Sequence, residues 1–307
     1  MLLPLSAVVF LLAPGMAQQK KLTPEQVVQN HLASLGSAEA RGNARTRVCE
    51  GTGRLEILKG GFGKMSGPAG YVAEDVRQAL EIQFGNADYS REALSFTGTE
   101  VQAVPVLPGQ RSRLGDFLYT YPQLMREGLF GGVYATGWPL LDLARRNPRL
   151  HYAGIKKIEG KKAHQLDYEI ADGRSDLKIK LFFDEKTFRH IRTQYSLTIR
   201  YGMRSDPSQS VSALDAYTRY ELVEAFSEFR QTDGLDLPFR WDIRLTTEND
   251  AGLEPGLAAN ATDQPRSPAD ARLGAVGGRS FAWEWKLKFD RIHHNQQLNP
   301  GLFDVMK

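Results

Sequence analysis

The sequence predicts a mainly β protein (α+β) built on one large antiparallel sheet of about eleven strands, with a few helices covering its concave apolar face. The clearest sign lies between Ser280 and Ile292. There Phe281, Trp283, Trp285, Leu287 and Phe289 recur at strict period two, alternating with Ala282, Glu284, Lys286, Lys288 and Asp290. That is a strand with one dry face and one wet face. The pattern returns at Leu177, Ile179, Leu181 and Phe183, at Tyr195, Leu197, Ile199 and Tyr201, and at Phe239, Trp241, Ile243 and Leu245. Roughly three helical segments are readable beside these strands, too few to cover such a face, so the sheet must fold over itself or enclose a cavity.

The elements follow in order. Leu2–Leu12 is an apolar run too short to span a membrane, and Gly15 and Ala17 suit the positions before a secretory cleavage. The expectation is a signal peptide at 1–17, cut near Ala17, and a single exported domain at 18–307. Thr23, Pro24 and Gln26 form a capping box with proline at the first helical position. Leu22 and Val27 are placed to staple that cap. Val27, Val28, His31, Leu32 and Leu35 make one apolar stripe, and Gly36 is expected to close the helix in the left-handed conformation. Strands joined by glycine-rich turns follow from about Arg45 to Val104, with a hairpin connection at Lys59–Gly63.

The period then changes. Leu114, Phe117, Leu118, Tyr121, Leu124, Met125 and Leu129 mark a helical face, and Pro122 divides it into two short helices or one kinked helix. A further short helix is expected over Trp138–Arg146, stopped by Asn147-Pro148. Strands resume from His151 to Asn249, with turns at Glu159–Lys161, Asp172–Arg174 and Asp184–Lys186. The stretch 250–278 is rich in Ala, Gly, Pro and Asp and reads as a mobile insertion between the last two strands. Its Asn260-Ala261-Thr262 matches the glycosylation sequon, a pattern common by chance and empty in a bacterium.

Composition narrows the function. A formal net charge of +3 is too small to imply nucleic acid or an anionic membrane surface as partner. Cys49 is the sole cysteine, so no intramolecular disulfide exists, and its neighbours Val48 and Gly51 place it in a strand as a small hydrophobe. Gly60–Lys64 lacks the glycine and hydroxyl residue that a phosphate-binding loop requires. His293 and His294 are adjacent on a strand and point to opposite faces, so they cannot grip one ion together. His31, His151, His164 and His190 have no metal-ligand spacing, and no nucleophile elbow is present. Acidic residues are expected on the wet side of strands, and Asp184 and Glu185 read as solvated turn groups. The sequence therefore points to no catalytic residue, no metal and no cofactor.

The aromatic set invites a binding reading. Trp241, Trp283, Trp285, Phe239 and Phe281 would line the dry face of two neighbouring strands, and with Phe117, Leu118, Tyr121, Leu124 and Trp138 they are the candidate lining of a hydrophobic cavity. The short helices, flanked by Gly128, Gly131, Gly132 and Gly137, are expected to act as a lid over Trp241, Trp283 and Trp285.

Three stretches carry a family resemblance. They are the N-terminal helix ending in Leu35-Gly36 followed by a strand with Glu50-Gly51-Thr52-Gly53-Arg54, the hairpin Leu181–Arg192, and the close Asn299-Pro300-Gly301-Leu302-Phe303. In these the chain resembles the bacterial lipoprotein-carrier and lipoprotein-sorting (LolA-like) proteins of the periplasm. The resemblance implies an incomplete, strongly curved antiparallel barrel with helices in its mouth, enclosing a site for acyl chains. It also implies a functional arginine near the start of the sheet, a place for which Arg45, Arg47 and Arg54 compete. The function expected is a non-enzymatic, monomeric carrier in the periplasm of a Gram-negative bacterium, with a lipid or acylated lipoprotein as partner and envelope transport components as further contacts. An outer-membrane β-barrel and a secreted enzyme with a dispersed site are the alternatives.

Overall fold

Every residue of the dry faces read above needs a covering, and the structure supplies it by curling the sheet around its own helices. The structure, a computed structural model, describes residues 22–87, 89–171, 176–201, 216–250 and 280–307. The expected signal peptide, the sequon, the Asp172–Arg174 turn and all of the 250–278 insertion except Asp250 lie outside those residues.

Helix α1 spans Pro24–Leu35 and is capped as the sequence requires: Thr23 Oγ1 accepts from Gln26 N while the Gln26 side chain accepts from Thr23 N. Its C-terminus departs from expectation. Gly36 adopts φ 147° and ψ −178°, not the left-handed helical form, because its backbone bridges to Leu235. A β-carbon there would lie 2.5 Å from the Gly234 carbonyl oxygen, so the approach itself demands glycine. The short helix α2 (Ala38–Asn43), capped by Ser37, has no buried residue and left no apolar period to read.

The strands follow as β1 (Thr46–Lys59), β2 (Gly63–Glu74), β3 (Arg77–Gln83), β4 (Arg91–Phe96) and β5 (Val101–Ala103), then a small ribbon of β6 (Pro105–Leu107) and β7 (Gln110–Arg111). Helices α3 (Arg113–Thr120) and α4 (Gln123–Arg126) are divided at Pro122, as expected. The single helix expected over Trp138–Arg146 is instead a 3-10 turn at Pro139–Leu141 and the one-turn α5 (Leu143–Arg146). Asp142 separates them and caps α5 by accepting from Arg145 N. The chain continues through β8 (Arg149–Ile158), β9 (Lys161–Glu169), β10 (Leu177–Asp184), β11 (His190–Tyr201) and β12 (Ala216–Ser227), a ribbon of β13 (Arg230–Thr232) and β14 (Leu235–Leu237), then β15 (Arg240–Asp250) and β16 (Ala282–His294).

Twelve of these strands form one antiparallel sheet in the order β5-β4-β3-β2-β1-β16-β15-β12-β11-β10-β9-β8, not closed into a barrel. The strand patterns behave as read: Leu177, Ile179, Leu181 and Phe183 are buried, as are Trp241, Ile243 and Leu245, and Phe281, Trp285, Leu287 and Phe289. One bulge resets the register. Glu50 faces Arg291 but Gly51 faces Phe289, so Asp290 is the extra residue and the inward set passes from Phe289 to Ile292 and His294. His293 is left exposed beside its buried neighbour.

Curvature follows from one contact. β4 and β16 are four places apart, a separation of roughly 19 Å in a flat sheet. Yet the Glu92 carboxylate of β4 accepts the Trp285 indole N–H of β16 at 3.1 Å. Only a strongly curled sheet brings them together. One buried cluster accordingly joins residues from both wings of the sheet to Val27, Val28 and Leu35 of α1 and to Leu114, Phe117, Leu118, Leu124 and Met125 of α3 and α4. Charged residues such as Arg54, Glu56, Lys286 and Lys288 take the outer face. A transmembrane barrel would present apolar residues there.

Candidate functional site

The concave face is apolar by construction, since every second residue of its strands points inward. At its centre stands Trp241, with ring centroids 5.6 Å from Tyr71, 5.2 Å from Phe130 and 5.6 Å from Tyr134. Tyr71 comes from β2, whereas Phe130 and Tyr134 come from the segment after α4. The rings that cover Trp241 thus lie further along the chain than the helices expected there, within residues 129–135.

All ten candidate lining residues lie in or against the buried cluster. Phe117, Leu118, Tyr121, Leu124, Trp138, Phe239, Trp241, Phe281 and Trp285 are buried, and Trp283 is partly so. They do not form one group. Phe117 packs at a tilt against Tyr121 and Tyr220 of β12, Trp138 stacks on His190, and Trp283 neighbours Trp285 at 6.0 Å. The rings of Phe239 and Phe281 lie under the guanidinium groups of Arg230 and Arg113. Two hollows in the structure, of about 600 Å³ and 460 Å³, take none of the ten. The larger is lined by Glu50, Gly51, Ala69 and their neighbours, the smaller by residues between α1 and α2. The aromatic face is covered by the protein's own side chains.

What holds that covering is polar. The Arg47 guanidinium, buried on β1, donates Nε–H to His294 Nε2 at 3.0 Å and a second N–H to the Val133 carbonyl. Of the three competing arginines, Arg45 and Arg54 are exposed and only Arg47 faces inward. Opposite, Glu224 of β12 accepts the Gly131 backbone N–H at 2.7 Å and the Tyr195 hydroxyl at 2.7 Å. Tyr134 donates its hydroxyl to the Pro238 carbonyl at 2.7 Å, and Gln78 of β3 donates to the Met125 carbonyl at 3.2 Å. A stretch of barely three turns is thus stitched to the sheet from β1, β3 and β12. Gly132, at φ 52°, permits the close fit: a β-carbon there would meet Phe226 at 2.8 Å and His190 at 2.9 Å.

Glu224 and Glu92 correct the expectation that acidic residues lie on the wet side of strands. Glu224 continues the inward series Tyr220, Leu222, Glu224, Phe226, and Glu92 shares its face with Leu94 and Phe96. Burial pushes the Glu224 carboxyl up to about 8, against the opposing hydrogen bonds from Tyr195 and Gly131. Burial likewise raises Glu92, against donors from Ser112, Tyr89 and Trp285. The alternation itself is the signal that places both carboxyls inside.

The histidines are structural in their contacts. His31 Nδ1 meets the Phe188 carbonyl at 3.1 Å and its Nε2 accepts from the Trp138 indole at 3.3 Å, which fixes the neutral Nδ1–H form. Burial lowers its pKa to about 4. His190 is held well below its ordinary range by burial and then by His31. His294 Nδ1 lies 2.9 Å from Asp233 Oδ2, a carboxylate–histidine arrangement whose far nitrogen is occupied by Arg47 rather than by a nucleophile. Among the described residues no three His, Cys, Asp or Glu side chains are grouped to hold a metal ion. Burial pushes the Cys49 thiol up to about 12, so it is chemically quiet. Among the described residues no helix is long and apolar enough to cross a membrane.

No family model and no curated protein matches the chain. Among solved structures it is similar to a LolA superfamily protein from Nitrosomonas europaea, at 10% identity and a TM-score of 0.42, with 92% of this chain and 98% of that one covered. A DUF1329 family protein from Desulfovibrio piger gives 10% identity and a TM-score of 0.39 over 92% and 98% of the two chains. A putative outer membrane lipoprotein-sorting protein domain from Vibrio parahaemolyticus gives 9% identity and a TM-score of 0.37 over 92% and 96%.

Proposed function

We propose that this protein is an exported, non-enzymatic carrier of acylated molecules, binding their chains on the aromatic concave face after the segment from α3 to Trp138 moves aside. The observation that carries the reading is the contrast between a mainly apolar, aromatic interior and the few buried polar groups that stitch the short segment filling it. Short helices between glycines have little stability of their own and depend on docking. An acyl chain entering the groove replaces the apolar side chains that leave, at about 0.8 kcal/mol per buried methylene. Burial of the chain thus offsets the apolar contacts that the segment gives up, and each stitching hydrogen bond released costs about 0.5–1.5 kcal/mol more. The resemblance noted in the sequence supports a lipoprotein or lipid as cargo and the periplasm as compartment.

Native mass spectrometry of gently purified protein tests this. The expected result is adducts of lipid mass, or their appearance when lipid is added. Apo mass alone under both conditions would reject the carrier reading.

A further inference from the structure

The β1–β2 hairpin ends in Leu58-Lys59-Gly60-Gly61-Phe62-Gly63-Lys64, and the Phe62 ring is 96% exposed while Leu58 is 47% exposed. A phenylalanine so fully in water contributes nothing to the fold, and its surroundings hold it there. Gly60, at φ 81°, packs its bare α-carbon on Phe281, where a β-carbon would come within 2.8 Å. The hairpin is thereby fixed to the buried cluster up to Gly60. Beyond it, the glycines on both sides offer the Phe62 ring no side chain to fold against among the described residues.

The charge around the tip is positive. Among the described residues Lys59 and Lys64 are exposed, and the acids beneath them are engaged, Glu56 by Lys64 Nζ at 2.6 Å and Glu284 by Lys286 and Arg244. We propose that this tip, with Phe62 at its apex, is a contact point for an anionic bilayer surface. The partner is argued from the chemistry. An aromatic ring settles in the interfacial layer, lysines beside it meet lipid phosphates, and a glycine-rich backbone lets the ring enter without dragging other side chains. One ring and one leucine give transient contact rather than anchorage. The β1–β2 turn shares its rim of the sheet with the starts of β16 and β10, whereas the β8–β9 turn lies on the opposite rim.

The test uses the full chain with Phe62→Cys carrying an environment-sensitive fluorophore. The buried Cys49 thiol, pushed up to about 12, does not compete for the label. Vesicles are phosphatidylcholine with and without phosphatidylglycerol. The label at position 62 should shift to the blue with anionic vesicles, and the same label at Lys157→Cys on the opposite rim should not. Partition of a Phe62→Ser chain onto anionic vesicles should fall at least about five-fold below wild type, with melting temperature and lipid uptake unchanged. A label at 62 that does not respond, or a Phe62→Ser chain that partitions as wild type does, overturns the proposal. A blue shift that follows protein concentration without vesicles also overturns it, because the tip then docks on a second copy.

Discussion

The Glu92 carboxylate on β4 accepts the Trp285 indole N–H on β16 at 3.1 Å, across three intervening strands. Tyr89 and Ser112 complete the same carboxyl, and Ser112 is also the cap of α3. One buried acid therefore joins a strand, its distant neighbour in the curl and the first covering helix. Trp285→Phe deletes the indole N–H and trims the buried ring, while Tyr89 and Ser112 still donate to the carboxyl. The expected loss is about 1–3 kcal/mol of unfolding free energy in urea, from the lost hydrogen bond and the small cavity together. A loss below about 0.5 kcal/mol would show that this bond does not hold the curl.

Glu224 and His31 give the pH dependence opposite slopes. Glu224 titrates at about 8 in the folded protein, above its ordinary value of 4.5, so the folded state holds the extra proton between those values. Stability through this group falls as pH rises across that window, by up to about 1.4 kcal/mol per unit. His31 titrates at about 4 when folded, below its ordinary 6.5, so the unfolded state holds the extra proton there and stability rises with pH from about 4 to 6.5. In the wild type the two oppose each other between 4.5 and 6.5. Glu224→Gln should remove the falling limb above 6.5 and unmask the rising one below it. Parallel wild-type and variant curves across that range would contradict the assignment.

Much of this was legible in residue order. The period-two runs place the strands and their inward faces, Thr23-Pro24-x-Gln26 places α1, and Pro122 divides α3 from α4. Parity along β1 also favours Arg47, in phase with Cys49 and Leu55, over Arg54. What residue order does not supply is partnership. Nothing near Glu92 announces Trp285, 193 residues away, and nothing near Arg47 announces Val133, 86 residues away. Such bonds exist only once the sheet curls, so charge alone sends Glu92 and Glu224 to water although their alternation points inward. The Gly36 geometry was missed for the same reason, since it is set by a bridge to Leu235 and not by the helix it ends.

Arg47 separates the stability of the fold from the hold on its covering segment. Replacing a buried cation by an apolar chain of similar length is often neutral or stabilising overall. Arg47→Met, however, also frees the Val133 carbonyl. Hydrogen exchange over residues 129–135 should accelerate at least about ten-fold while global unfolding changes little. Equal changes in local and global exchange would mean that the segment opens only when the whole protein unfolds.

The central claim is that cargo reaches the aromatic face because this segment moves. The Thr136 hydroxyl donates to the Asp75 backbone carbonyl in the β2–β3 turn at 3.0 Å, so the two stretches run close there, and Asp75→Cys with Thr136→Cys, in a Cys49→Ser background, is the pair to tie the segment to the sheet. The measurement is exchange of a fluorescent acyl lipid with the oxidised and the reduced protein. Exchange should stop in the fully cross-linked form and return on reduction. Unchanged exchange in a fully cross-linked protein would contradict the account and make the segment a fixed part of the core.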